Sequence, residues 1–444
     1  MISAGEEIPE FRKDRKQLEI DLATIAEKIN KDRPYFSRGN PWIKVARTRI
    51  LKYSMKRAAK RVAVQLKLRE NPLPSNAMKL DQQEVQHRLS QFKCQATHYD
   101  KTEGARPFYC CAMSTKFIGH QAGDEYAILM GNQGGDITIW NERGVMRRKI
   151  VAHEERLTGM AVMPCKSGTK VKLQSFSEFK FISASADGLV KLWNGDGESL
   201  GIYDAAKGTP QHKRNGSRER MGKCAFHPIG NYFGATSYDR SWALWDVEKT
   251  EMVLLRQEGH STAVHCCGFH PDGSLMATGD LGGIVRIWDL RSGRAIWGGD
   301  SHAKAVLSVD FNVNGYIMAS SSMDNTIKIW DLRKHTEYTI PAHDNLVSAV
   351  RFESRKGEWA VSGSFDKTVR IWSMKKRGSY NFKLTHQMKG HHSRISDLCI
   401  SDDASFIVTA SHDKTWKLWS DTDFDAKTGG IEMKEDVIKK EENV

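Results

Sequence analysis

The sequence predicts an all-β fold, a seven-bladed β-propeller preceded by a basic α-helical N-terminal arm. Three observations predict it. Seven stretches end in a Trp that follows a short run of alternating apolar residues. Those Trp recur at intervals of 53, 52, 43, 42, 42 and 47 residues. The positive charge of the chain is concentrated in one segment ahead of the first of them.

The seven endings are DITIW, GLVKLW, RSWALW, GIVRIW, NTIKIW, KTVRIW and KTWKLW, closing at Trp140, Trp193, Trp245, Trp288, Trp330, Trp372 and Trp419. A period of about 40–45 residues with Gly-His and Trp-Asp marks is the signature of WD40 repeats, each a blade of four short strands. An Asp follows the Trp directly in Trp245-Asp246, Trp288-Asp289 and Trp330-Asp331. Seven endings imply seven blades closed into a ring, because closure removes exposed sheet edges. The segment around 94–118 is expected to supply strands that complete the ring. This reading assigns 1–38 to a helical, partly disordered segment, 39–93 to the basic helical arm, 94–420 to the propeller and 421–444 to a disordered polar tail. Two stretched repeats carry basic-polar insertions, 166–179 and 207–220, which read as surface loops.

Further residues recur in register with the Trp. A His precedes it by 28 or 29 residues at His260, His302, His343 and His391. Asp187, Asp239, Asp324, Asp366 and Asp413 stand six residues before it, and Gly134 and Gly282 take that place in the first and fourth repeats. Ser183, Ser320, Ser362 and Thr409 lie four before the Asp. The Asp caps a tight turn by accepting backbone N–H bonds, while His, Ser or Thr and the Trp indole link strands through side-chain hydrogen bonds. The blade network is thus read as His302, Asp324 and Trp330; His343, Asp366 and Trp372; His391, Asp413 and Trp419; and Asp239 with Trp245. Recurring His, Asp and Ser invite a catalytic reading, but a triad is needed once and this set repeats with the blades. There is no Gly-rich phosphate loop, no G-x-S-x-G elbow and no His/Cys metal set, so no catalytic residue, metal or cofactor is assigned. The eight Cys include the adjacent pairs Cys110-Cys111 and Cys266-Cys267 and no C-x-x-C, and they read as buried free thiols. No apolar run approaches the roughly 20 residues that span a bilayer, and the N-terminus shows no secretory signal, so the expected location is the cytosol or nucleus.

The net charge is +13, and residues 31–69 contribute 13 Lys or Arg against the single acid Asp32. That makes the basic character a property of one surface rather than of the fold. Asn40 and Pro41 suit the start of a helix, which should run to about Arg69, before Pro72 and Pro74. Leu51, Met55, Ala58, Val62 and Leu66 form one apolar stripe. Arg49, Lys56, Lys60 and Lys67 fall opposite, with Arg57 and Arg61 at the flank. A basic amphipathic helix has three readings: docked on the propeller, bound to RNA phosphates, or laid on a membrane surface. The RNA reading assigns backbone contacts to Arg49, Lys52, Lys56, Arg57, Lys60 and Arg61. KRAAKR (56–61) also matches a nuclear-import patch. Residues 6–30 read as a second, mixed-charge helix, and 438–441 resemble a modifier-conjugation motif.

Several stretches are more specific than a generic repeat: TSYDRSWALWDVE (236–248), RQEGHS (256–261), NGYIMASSSMDNTIKIWDLR (314–333) and YTIPAHDNLVSAVRFE (338–353). With NPWIKVARTRILKYSMKRAAKR (40–61), they resemble the WD-repeat subunit family of the U4/U6 small nuclear ribonucleoprotein, precursor-RNA processing protein four, over roughly 39–420. The resemblance implies a non-catalytic, nuclear scaffold of the U4/U6 and U4/U6·U5 particles in pre-mRNA splicing. The partners it implies are U4/U6 snRNA, directly or through bound proteins, a second U4/U6 protein (precursor-RNA processing protein three), in many organisms a cyclophilin, and other tri-snRNP proteins. The family's N-terminal motif, built around a Leu-Gly-Glu-Pro-like stretch, has no match in residues 1–38. The alternative is a peptide-binding WD40 adaptor of another complex, without RNA.

Overall fold

A computed structural model of the chain describes residues 39–70, 75–100, 105–114, 117–118, 124–164, 179–204, 219–249, 253–374 and 382–421. The expected helix in 6–30, most of the loops 166–179 and 207–220, and the tail after Asp421 lie outside the described residues.

Each Trp-terminated stretch is the third strand of a four-stranded antiparallel sheet, and seven such sheets form the propeller. Blade 1 consists of Phe108–Met113, Ala127–Asn132, Asp136–Asn141 and Met146–Val151. Blades 2 to 6 run through 157–204, 221–258, 264–300, 306–341 and 347–389. Blade 7 takes three strands from the C-terminal end, Ile395–Ile400, Phe406–Ser411 and Thr415–Ser420. Its fourth comes from ahead of blade 1: Lys93–Tyr99 pairs antiparallel with Thr415–Ser420, Lys93 opposite Ser420 and Tyr99 opposite Thr415.

The apolar core is divided among the seams between blades. Ile317, Ala319, Ile327 and Ile329 of blade 5 bury against Val347, Val350, Phe352 and Ala360 of blade 6. Cys266, Ala277 and Ile287 of blade 4 meet Val306, Val309, Met318 and Trp330 of blade 5 in the same way. Both faces of the inner strands are therefore covered, as in Ile317–Ser322 and Trp359–Ser364, which are buried throughout, whereas outer strands such as Met146–Val151 and Thr336–Pro341 are mostly exposed. The described cysteines are free, and Cys110, Cys111, Cys224, Cys266 and Cys267 are buried in these seams. Burial pushes the Cys224 and Cys266 thiols up to about 12.

The recurring polar residues form one hydrogen-bonded device per blade. In blade 6, the His343 ring bonds Asp366 through Nδ1 at 2.8 Å and Ser362 Oγ through Nε2 at 2.7 Å. The Trp372 indole N–H donates to the same Ser362 Oγ at 2.8 Å. The ionised carboxylate can only accept, so Nδ1–H donates to it, and with the buried ring neutral Nε2 accepts the Ser362 proton while Ser362 Oγ accepts the indole N–H. Burial pushes His343 below its ordinary value, while hydrogen bonds from His343 and Thr368 outweigh burial at Asp366 and hold its carboxyl below the usual range. The same set links His302, Ser320, Asp324 and Trp330 in blade 5. In blade 7 it links His391, Thr409, Asp413 and Trp419.

Blade 2 has the same set, His153 joining Ser183, Asp187 and Trp193. The other three blades vary it. Where Gly134 and Gly282 replace the Asp, the cap comes from two residues earlier. Asn132 Oδ1 accepts from the N–H groups of Gly134 and Asp136, both at 2.9 Å. Asp280 Oδ1 accepts from Gly282 and Ile284, and its other oxygen pairs with His260 at 3.0 Å. In blade 3 Asp239 pairs with Arg256, Ala235 takes the Ser position, and Trp245 stacks on Phe233.

The helical arm as a candidate interface

The arm begins with α1, Ile43–Glu70. Asn40 caps it through Oδ1, which accepts the Trp42 N–H at 3.2 Å, and the Asn40 N–H donates to Leu254 O, fixing the helix start to blade 3. The Lys249 ammonium lies 3.4 Å from the Trp42 ring centroid. A second helix, α2 (Ser75–Ser90), is anchored by its Leu89 and by Phe92 just beyond its end, which are buried with Trp359, Ile395 and Leu398 between blades 6 and 7.

α1 lies across turns that themselves tie one blade to the next. His227 Nε2 donates to Gly273 O at 2.7 Å, and Nδ1 accepts the Ile229 N–H. His270 repeats this toward Gly315 O at 2.7 Å and the Asp272 N–H, and Asn312 does so toward Gly357 O and the Asn314 N–H. Blades 3, 4, 5 and 6 are thus joined in succession. Burial pushes His227 down to about 4, so this latch works with a neutral ring.

An amphipathic helix ordinarily turns its apolar stripe to its support. Here the stripe Leu51, Met55, Val62 and Leu66 faces away, 38%, 60%, 45% and 49% exposed. The docked row is Ile43, Ala46, Ile50, Ser54, Arg57, Arg61 and Gln65. Its first half buries Ile43, Ala46 and Ile50 against Tyr232, Trp242, Leu254 and Trp288. Its second half meets a polar floor, and polar side chains answer it. Tyr53 OH donates to Pro228 O at 3.0 Å and receives Arg57 Nη1 at 2.6 Å. Arg61 donates to Asp272 Oδ2 from Nε at 2.9 Å and from Nη2 at 2.7 Å, and to Asn314 O from Nη1 at 3.1 Å. A leucine there would leave the floor's carboxylate and carbonyls unpaired, which is why the apolar stripe does not take this place. Gly315 permits the approach: at φ 77° it has no Cβ, and one would sit 2.9 Å from Arg61 Cζ.

The six basic candidates divide accordingly. Lys52, Lys56 and Lys60 are exposed on one row, spaced one helical turn apart, and pair with no carboxylate among the described residues. Arg49, also exposed, stands beside Tyr232, whose hydroxyl pushes the guanidinium above its ordinary value. Arg61 is committed to the propeller, and Arg57 is held on α1 itself by Tyr53, whose hydroxyl in turn bonds Pro228 O. At about 100° per residue, α1 therefore has three faces: one docked, one basic and one apolar and open.

The His/Ser/Asp sets offer no reaction site. Ser183, Ser320 and Ser362 are fully buried, and each hydroxyl is already spent between an imidazole and an indole. No described helix is long and apolar enough to cross a membrane. Sequence reasoning missed His153, the shifted caps and the blade-to-blade latches. The repeated Phe-His-Pro-x-Gly at 226–230 and 269–273 was the available signal for the latches.

Residues 253–419 are similar to the family described as Nucleolar protein 10-like, N-terminal domain. Protein groucho of Drosophila melanogaster is 27% identical over 54% of this chain and 32% of its own length. The U4/U6 small nuclear ribonucleoprotein PRP4 of Saccharomyces cerevisiae is 27% identical over 54% of this chain and 48% of its own. Pre-mRNA-processing factor 19 homolog 2 of Arabidopsis thaliana is 27% identical over 29% of this chain and 23% of its own. The chain spans less than half the length of each of these relatives.

Proposed function

We propose that this chain, a WD40-repeat propeller and scaffold, serves in the U4/U6 and U4/U6·U5 ribonucleoproteins of pre-mRNA splicing, in the nucleus. Its propeller binds a U4/U6 partner protein and its arm lies against RNA or RNA-bound protein. The observation that carries this reading is the row Lys52, Lys56 and Lys60. Three ammonium groups stand one turn apart on a helix whose opposite side is clamped, so binding a phosphate backbone costs no folding of the arm. Arg49 extends the row toward the helix start. Likeness to the yeast U4/U6 protein over about half of the chain supports the particle named.

A second reading, a peptide-binding adaptor without RNA, is favoured by equal likeness to groucho over the same share of the chain. The two separate in one experiment. The tagged full chain is purified from nuclear extract at moderate salt and its bound RNA is sequenced. Joint enrichment of U4 and U6 is the expected result. Another structured RNA moves the scaffold to a different ribonucleoprotein, and absence of RNA makes the adaptor the better account.

A further inference from the structure

α1 occupies one end of the propeller, and the opposite end carries a surface the arm does not touch. The first strands of the blades stand side by side around the axis of the ring. α1 lies across the turns that follow these strands, at Pro228, Asp272 and Asn314. At the opposite mouth one backbone bond repeats: the residue after the second strand donates its N–H to the carbonyl of the residue before the first. It defines equivalent positions around the mouth, so their side chains compare blade by blade.

The two sides of the mouth differ. On blades 2, 3 and 7 the accepting residue is Arg156, Arg220 and Arg394. On blades 4, 5 and 6 it is Ala263, Ala305 and Leu346, and the donors are Leu281, Met323 and Phe365. Leu281 and Met323 are 36% and 39% exposed. The basic and apolar sectors meet between blades 6 and 7, where Arg394 Cζ lies 5.0 Å from the Phe365 ring centroid. Arg394 Nη2 also donates to His412 Nδ1 at 3.3 Å. A guanidinium laid on a ring keeps its edge donors for a planar acid. Arg394 pairs with no carboxylate among the described residues.

We propose, resting on the propeller as the partner-binding part of the chain, that this mouth binds an extended peptide in which an acidic residue adjoins an apolar one. The carboxylate sits on Arg394, and the apolar side chain sits on Phe365, Leu346 and Met323.

The local charge suits this occupant. Lys367 and Lys414 are exposed in the turns beside Arg394. Of the acids there, Asp366 and Asp413 are held by His343 and His391, and Asp344 faces Arg370 at 3.6 Å. Glu154 and Glu155 stand exposed next to Arg156, so blade 2 is the weaker side for an acid. RNA fits less well. Phe365 and Tyr109 already stack with Arg394 and Arg156, leaving a base little bare ring, and Met323 and Leu346 offer nothing to a ribose-phosphate chain.

The test uses the purified full chain, free of nucleic acid, to pan a phage library of random dodecapeptides. An enriched peptide is then synthesised with a fluorescein label and its affinity read by anisotropy. The enriched sequences should place Asp or Glu beside Leu, Ile, Met or Phe. Arg394→Glu and Met323→Glu, both at exposed positions, should each weaken binding about tenfold or more. Arg355→Glu, at the other end of blade 6, should leave it unchanged. Enriched peptides without an excess of acids overturn the proposal, as does no enrichment, or equal affinity in Arg394→Glu. A labelled oligouridylate that binds more tightly than the peptide, and is lost in Arg394→Glu, also overturns it and gives the mouth to RNA. No nuclear extract enters this test, so its failure leaves the enrichment of U4 and U6 undecided, and the reverse holds as well.

Discussion

Arg61 is the residue on which the far half of α1 depends, and its replacement by Ala has a local effect that can be sized. The side chain makes two hydrogen bonds to the Asp272 carboxylate and one to Asn314 O. The Asp272 side chain is 6% exposed and that of Arg61 25%. Bonds to charged groups contribute about 1.5–3 kcal/mol net, and solvent at the Arg61 side screens the pair, so about 2 kcal/mol is the expected loss. This loss falls on local opening rather than on the ring, because none of the blade seams contains Arg61. About 2 kcal/mol corresponds to roughly 30-fold faster amide exchange, which should appear from Arg57 to Glu70 and not in the blades. Native-state hydrogen exchange read by mass spectrometry measures it. A cycle with Asp272→Asn should show strong coupling, since either change alone breaks the same pair. Exchange within threefold of the unmodified chain, or additive effects in the cycle, would refute the assignment of Arg61 as the clamp.

Three further outcomes are expected. Replacing Lys52, Lys56 and Lys60 by Glu should weaken RNA binding and flatten the dependence of log K on log salt by about 2–3, with an unchanged slope excluding the row as a phosphate contact. Ser362→Ala strips the Trp372 indole and His343 Nε2 of their shared partner and should cost about 2–4 kcal/mol in urea unfolding, whereas Ser362→Thr, the residue type present at Thr278 and Thr409, should cost far less. His227, held at about 4 by burial against an unfolded value near 6.5, binds fewer protons folded than unfolded. Its contribution is therefore complete above pH 6.5 and declines as pH falls from 6.5 to about 4, by about 3 kcal/mol. His227→Gln should remove that part of the acid sensitivity, and an identical pH profile in the variant would show that another group is responsible.

The propeller was legible because its mark is local: a Trp closing an alternating strand recurs whatever the loops do. What the loops do was less legible. His153 stands 40 residues before Trp193, since residues 165–178 intervene, and so escaped a search at the regular interval. The caps of blades 1 and 4 escaped because Asn132 and Asp280 reach the same turn from two residues earlier. The arm was read correctly as a basic helix with an apolar stripe, but not by orientation. Periodicity shows that a helix has faces; the floor decides which face it accepts, and here that floor is a carboxylate and carbonyls contributed by Pro228, Asp272 and Asn314. Periodicity set Lys56 and Lys60 opposite the stripe and Arg57 and Arg61 at its flank, but the reading gave all four to RNA, whereas Arg61 is held by Asp272 and Arg57 by Tyr53. α2 carries a weak apolar pattern and was not singled out, although Leu89 and Phe92 secure it.

The strand Lys93–Tyr99 has a consequence for how the chain is made. Blades 1 to 6 each take all four strands from neighbouring sequence, so each can pair its strands and pack on the blade before it as synthesis proceeds. Blade 7 has to wait, because Thr97 meets its partner Lys417 across 320 residues. At 5–20 residues per second, that separation is roughly 15–60 s of synthesis, during which the early strand has no ladder to join. Its composition suits the delay. Lys-Cys-Gln-Ala-Thr-His-Tyr is too polar to recruit a stray strand readily, so the chain can carry it unpaired until the last blade arrives and locks the ring.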